Sequence, residues 1–236
     1  MTARAPSVSL NMIFCFLLRY KSLCKELITV KQGEKEMSYV VANRLRAVDV
    51  EKFLEVFNSL ARPALEGNGA TKIRVSQTVI GGADSGLIGV AMYFDSVSAS
   101  VAALGAGNAA AGPSAREAGV ELIGRSLVKI REQRGSDEGA FGSVLMAAGP
   151  GVDDATYASN ADAFYGAMSS GANGQMLGDM VAGGDRTGLH VAVTWTDDID
   201  ALQSAAEAMY SNTEIQKVMQ HSGISPVSRS IFKTII

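Results

Sequence analysis

The stretch VIGGADSGLIGVAMYFDSVSA (79–99) is written a second time as VAGGDRTGLHVAVTWTDDIDA (181–201). Aligned at an offset of 102, the two agree at seven of 21 positions, where chance in so Gly- and Ala-rich a chain gives one or two. The likeness extends outward in residue type. RVSQTV (74–79) lies over MLGDMV (176–181), and VDVEKF (48–53) lies over VDDATY (152–157). RSLVK (125–129) and RSIFK (229–233) close the two copies. A period near 100 residues is too long for a solenoid unit and reads as a duplicated domain.

The same order of elements is predicted in each copy. In the first, SYVVANRLRA (38–47) is β-branched and bounded by polar residues, as a strand is. Asp49 can cap a helix whose Val50, Phe53, Leu54, Phe57 and Leu60 recur at helical spacing, with Pro63 and EGNG (66–69) expected to end it. Two strand-like runs, 72–80 and 86–94, flank GGADS as a hairpin. Ser96 can cap a second helix through Val97, Val101 and Leu104, and 121–131 is the last strand.

The second copy repeats this order. It has a strand at 140–148, then a stripe of Tyr157, Ala161, Phe164 and Met168. A hairpin of 174–182 and 188–196 follows, then a stripe of Ile199, Leu202, Ala206 and Met209. A short extra helix with a Thr213/Gln216 capping box and a closing strand at 226–235 end the chain. The polar run 131–139 is the expected linker.

Each half is therefore β-α-β-β-α-β, the ferredoxin-like plan. The predicted fold class is α+β: two tandem ferredoxin-like repeats, 37–134 and 138–236, forming an intramolecular pseudo-dimeric α+β barrel. A four-stranded sheet with both helices on one face leaves the other face bare, and a second copy in the same chain is its natural cover.

The first 36 residues differ from the rest. They hold both cysteines, Cys15 and Cys24, and leave 15 of the 21 Lys/Arg and 21 of the 24 Asp/Glu to residues 37–236. Their apolar run 8–18 is shorter than the ~20 residues that span a bilayer. QGEKEM (32–37) can be encoded by a ribosome-binding sequence ahead of Met37, so residues 1–36 read as a non-native leader or a disordered extension.

A formal net charge of −3 argues against a nucleic-acid partner. No membrane association is expected, and a cytoplasmic location with a small organic ligand fits this composition; self-association into a homo-oligomer is compatible with it. Without a cysteine beyond residue 36 and with two separated histidines, neither a metal site nor a cofactor is expected. GAGNAAAG (105–112) lacks a dinucleotide fingerprint's spacing and preceding strand.

SYVVANRLRAVDVEKFLEVFNSL (38–60), a strand passing at once into an amphipathic helix, resembles the dimeric α+β barrel superfamily, in particular antibiotic-biosynthesis-monooxygenase-like proteins. AEAMYSNTEIQKVMQHSG (206–223) is similar in style. The resemblance covers 37–236 and implies a range of activities: cofactor-free oxygenation, haem degradation, isomerisation, decarboxylation or none. A cofactor-independent monooxygenase acting on a small aromatic or polyketide-like substrate stands beside a purely binding or structural barrel.

The candidate ligand-binding residues are His190, Arg125, Arg229 and Asn43; no catalytic residue is assigned. His190 replaces the aliphatic Ile88 of the first copy. It shares its strand face with Ala192, Thr194 and Thr196, so Trp195 must point the other way. Arg125, Leu127 and Lys129, like Arg229, Ile231 and Lys233, share a face where cations could lie inside the barrel and hold a carboxylate, or pair with acids such as Asp179. His221, at a helix end, reads as a charge matched to the helix dipole.

Overall fold

The computed structural model describes residues 38–236 of the 236-residue chain; the expected leader, 1–36, lies outside the described residues. The strands are β1 (Tyr39–Ala47), β2 (Lys72–Ile80), β3 (Ile88–Phe94), β4 (Val120–Gly135), β5 (Phe141–Ala148), β6 (Gly174–Ala182), β7 (His190–Thr196) and β8 (Ser225–Thr234). They close into a barrel in the order β1-β3-β2-β8-β5-β7-β6-β4, with every neighbouring pair antiparallel. Strands β4-β1-β3-β2 come from the first half and β8-β5-β7-β6 from the second. The halves join at two seams, β4 on β6 and β8 on β2, so the strands carrying RSLVK and RSIFK each reach across to the other half.

Side-chain alternation divides the barrel wall into two faces. Val40, Val128, Met176, Met180, Val191, Trp195 and Phe232 point into the lumen and form one buried cluster. The opposite face carries the helices. In the first half Val41, Ile73, Val75, Ile88, Val90, Met92 and Phe94 pack against Phe53, Phe57 and Leu65.

Those three residues come from α1 (Val50–Val56), a π-helical turn (Phe57–Ala61) and α2 (Arg62–Glu66). Asp49 caps α1 as expected, its side chain accepting from the Lys52 N–H. Pro63 does not end the helix. It falls in the first turn of α2, where the π turn before it removes the need for its missing N–H.

Helix α3 (Val97–Glu117) runs straight through the Gly/Ala-rich stretch. Its buried stripe is Ser100, Ala103, Gly107 and Ala111, while Val97 and Val101 face solvent. Leu65 fills the space a side chain at Gly107 would need. The predicted stripe was apolar, but the helix sits so close to its neighbour that small residues take the inner face.

The second half is covered by α4 (Asp154–Met168), α5 (Ile199–Ser211) and α6 (Thr213–Ser222), with Leu202 fully buried among Met168, Ala205, Ala206 and Met209. The cap of α6 is Asn212 rather than Thr213; its side chain accepts from the Glu214 and Ile215 N–H groups. The expected linker is mostly strand, because β4 extends to Gly135 and pairs with β6 up to Gly174. No helix among the described residues is long and apolar enough to cross a membrane.

The two hairpin loops match atom for atom at the spacing read from the sequence. Gly81 N–H donates to Ser85 Oγ at 3.0 Å, and Gly183 N–H to Thr187 Oγ1 at 3.0 Å. Gly82 and Gly184 (φ 60° and 66°), and Gly86 and Gly188 (84° and 88°), take the left-handed turns that other residues avoid. Asp84 and Arg186, also 102 apart, meet as an ion pair at 3.1 Å, and Arg44 reaches the same carboxylate at 2.8 Å.

The β4–β6 seam leaves no room for a side chain at Gly178, where a Cβ would stand 2.6 Å from the Lys129 carbonyl oxygen and 2.8 Å from Val128 Cγ1. Gly178→Ala is therefore expected to cost about 1–3 kcal/mol, read as a fall of several degrees in thermal midpoint. A midpoint unchanged from wild type would show that the seam is looser than this spacing.

Candidate functional site

The helix-facing side of the second half carries a row of polar residues where the first half carries core. Ser143 on β5 lies opposite Thr194 on β7, which lies opposite Gln175 on β6. All three are buried, at 4%, 4% and 6% exposure. The residues 102 positions earlier, Val41, Met92 and Ile73, stand in the same mutual register and are core aliphatics.

A cavity of about 90 Å3 opens over this row, roofed by Tyr157 and Phe164 of α4, Met209 and Tyr210 of α5 and Met219 of α6. Arg229, in the next row opposite Leu145, also lines it. Two buried polar atoms at its wall have no partner. Gln175 donates from Nε2 to Thr194 Oγ1 at 3.5 Å and leaves Oε1 bare; Arg229 donates from Nη1 to Gln203 at 2.7 Å and leaves Nη2 bare. Buried groups of this kind are nearly always satisfied in native proteins.

His190 lines the same cavity, but its ring is held at both nitrogens. Nδ1 lies 2.9 Å from Asp179 Oδ1 and Nε2 lies 3.1 Å from the Pro150 carbonyl oxygen. Both are acceptors, so the arrangement suits an imidazolium donating twice. The bond to Asp179 raises the His190 pKa above its ordinary value, against the opposing effect of burial.

Asp179 is a hub. Arg131 donates to it at 2.6 Å, the Tyr157 hydroxyl at 3.2 Å, and Arg131 lies over the Tyr157 ring at 4.4 Å. Burial pushes the Asp179 carboxyl up, but the His190 and Arg131 bonds hold it below the usual carboxylate range. Burial, then the Asp179 charge, drives the Tyr157 phenol far above its ordinary value, so it stays protonated. One alternative for the cations of RSLVK and RSIFK is pairing with Asp179; the arginine it takes, Arg131, lies just past RSLVK on the same strand.

Asn43 and Arg125 stand elsewhere. Arg125 Nε donates to Asn43 Oδ1 at 2.7 Å at the edge of a wider cleft, about 470 Å3, between the first half's sheet and its helices. The end of α1 (Val56), the π turn (Phe57, Ala61) and the small residues of α3 (Gly107, Ala111, Gly112) line that cleft. So the four candidates divide two and two between equivalent layers. Of the four, only Asn43 also borders the lumen, whose face on β4 and β8 is Ser126 and Val128, Ser230 and Phe232. Trp195 is in the lumen and His190 is not, as alternation requires. His221 stands exposed in the last turn of α6.

No protein-family model matches the chain. No curated protein matches it in sequence. Solved structures share the fold. An anthrone oxidase-like protein superposes with a TM-score of 0.53 at 12% identity, covering 86% of this chain and 93% of that one. A chlorite dismutase variant from Candidatus Nitrospira defluvii, in complex with cyanide, gives 0.56 at 9%, covering 90% and 95%. A protein assigned as a monooxygenase from Fusobacterium nucleatum gives 0.54 at 8%, covering 86% and 94%. The chain thus shares the overall fold of these proteins.

The His190 contacts have a pH consequence. A pKa raised by folding gives stability that is complete below the unfolded value, about 6.5, and is lost as pH rises through the folded value. Urea unfolding followed from pH 6 upward is expected to show declining stability in the wild type and a flatter profile in His190→Gln. Equal slopes in the two proteins would refute a charged His190.

Proposed function

We propose that the protein is a small-molecule-binding α+β barrel made of two tandem ferredoxin-like halves, 37–134 and 138–236, and that the cavity over Ser143, Thr194 and Gln175 is its binding site. The matched hairpin loops and the shared strand order support the duplication. The observation that carries the site is the pair of bare atoms, Gln175 Oε1 and Arg229 Nη2, on one apolar cavity. Each costs about 1–3 kcal/mol if left unsatisfied, and the first half shows that an aliphatic row packs well in the same place. A ligand recovers that cost.

The ligand's chemistry follows from the wall. Arg229 supplies a charged donor for a carboxylate, phenolate or carbonyl oxygen. Gln175 supplies an acceptor for a hydroxyl or N–H. Phe164, Tyr157 and Leu177 supply apolar surface for the body. The space is below the ~150 Å3 that admits benzene to an engineered apolar cavity, but three of its walls are methionines, Met168, Met209 and Met219, whose thioethers repack readily. A one-ring hydroxy acid or phenol is the fitting class. Asn43 and Arg125 mark the first half's cleft as a wider, more polar-mouthed counterpart.

Binding is favoured over cofactor-free oxygenation because the base such chemistry needs is not at hand. His190 has both nitrogens engaged, and the Tyr157 phenol is held protonated. Haem does not fit either, since the one histidine at the cavity has no free nitrogen to offer iron and the space is too small.

Salicylate, benzoate, phenol and hydroquinone are the probes for a thermal-shift test. At least one is expected to raise the wild-type midpoint. Gln175→Leu is expected to keep or raise the ligand-free midpoint while abolishing that shift, and Arg229→Met to weaken acid binding about tenfold or more, the loss of one charged hydrogen bond. No shift with any probe, or a shift that survives both substitutions, would overturn the site.

A further inference from the structure

The barrel lumen holds a third cavity of about 180 Å3, on the other side of the sheet wall from the two helix layers. Its walls are apolar and aromatic, with Trp195, Tyr93 and Phe232 towards one end and Met146 and Met180 towards the other. Arg74 reaches into it. Its Nη2 is committed to Glu138 at 2.7 Å and to Asp137 at 3.4 Å, so its charge is balanced. Its Nε is buried with no partner, and its guanidinium lies 5.7 Å over the Trp195 ring. Beside it, the Tyr93 phenol is pushed up to about 12, by burial first, and stays protonated.

We propose that the lumen is a second binding site, for a neutral one-ring aromatic carrying a hydrogen-bond acceptor such as a phenol or aryl carbonyl. Arg74 Nε donates to the acceptor. Because Asp137 and Glu138 already neutralise Arg74, an anion gains little there, which sets this site apart from the Arg229 cavity. The ring fills the space beside Trp195, and a lumen of this volume exceeds the ~150 Å3 that takes benzene in an engineered protein. Ion pairs stand at both ends: Lys72 and Arg74 with Asp137 and Glu138 at one, Arg44 and Arg186 with Asp84 at the other.

Trp195 is the chain's single tryptophan, so its emission reports on the lumen alone. Titrating the full chain with 4-iodophenol, a heavy-atom quencher, is expected to give saturable quenching that unlabelled phenol competes away and benzoate does not. Arg74→Lys keeps a cation for Glu138 but has no Nε, and is expected to raise the half-saturation concentration about tenfold. Val193→Phe fills the lumen and is expected to leave only linear, collisional quenching. Gln175→Leu, which disables the other cavity, is expected to leave the titration unchanged, so the two sites stand or fall separately. Linear quenching in the wild type, or saturable quenching undiminished in both Arg74→Lys and Val193→Phe, would overturn the site.

Discussion

Two lines of backbone hydrogen bonds, β4 to β6 and β8 to β2, are where the halves become one object. A four-stranded sheet on its own exposes two edges and one half-apolar face, and both are liabilities in water. Joining the sheets edge to edge removes all four edges at once. The bare faces turn inward, and Val40, Val128, Met176, Val191, Trp195 and Phe232 become a shared interior. Every other feature presupposes this closure: the helix layers have a rigid floor, and the lumen exists only because the ring is complete.

The same closure separates three environments that carry different chemistry. The lumen pairs aromatics with a charge-balanced arginine. The second half's helix layer pairs a buried polar row with an arginine that has no acid partner among the described contacts. The first half's layer is wider, with Arg125 steadied by Asn43 at its edge. The layers differ because α6 and the methionines of the second half fill volume that α3, with its Gly and Ala face, leaves open in the first.

Much of the architecture was legible because the same pattern is written twice in the sequence, 102 residues apart. Asp49 and Ser96 cap helices just where a stripe begins, and the Gly-Gly hairpins punctuate both halves. What escaped has definite causes. The inner face of α3 is small rather than apolar because close approach to Leu65, not hydrophobicity, decides it. Pro63 was read as a stop because a π turn leaves no residue-level mark. The polar run 131–139 reads as linker, yet 131–135 is strand, because Arg131 and Arg134 find acid partners in Asp179, Asp154, Glu132 and Asp162.

The site was half visible. His190 and Arg229 do line one cavity, and Asn43 and Arg125 do touch, but which face the arginines took was not fixed by the motif. Ser143 and Gln175 went unnoticed and Thr194 was named only as a neighbour of His190, although the 102-residue alignment sets the three over Val41, Met92 and Ile73. Comparing the copies for polar-for-aliphatic exchange on the helix-facing side would have found the row, as it found His190 over Ile88.

The Asp84–Arg186 contact limits what either half could associate with. These are corresponding positions that face each other, so a ring assembled from two first halves would oppose Asp84 to Asp84, and one from two second halves Arg186 to Arg186. Like charges at that distance repel where the mixed arrangement attracts. The two halves thus carry a fixed left-and-right identity, and exchange of halves between neighbouring chains stays permissible only if each seat is refilled by its own kind.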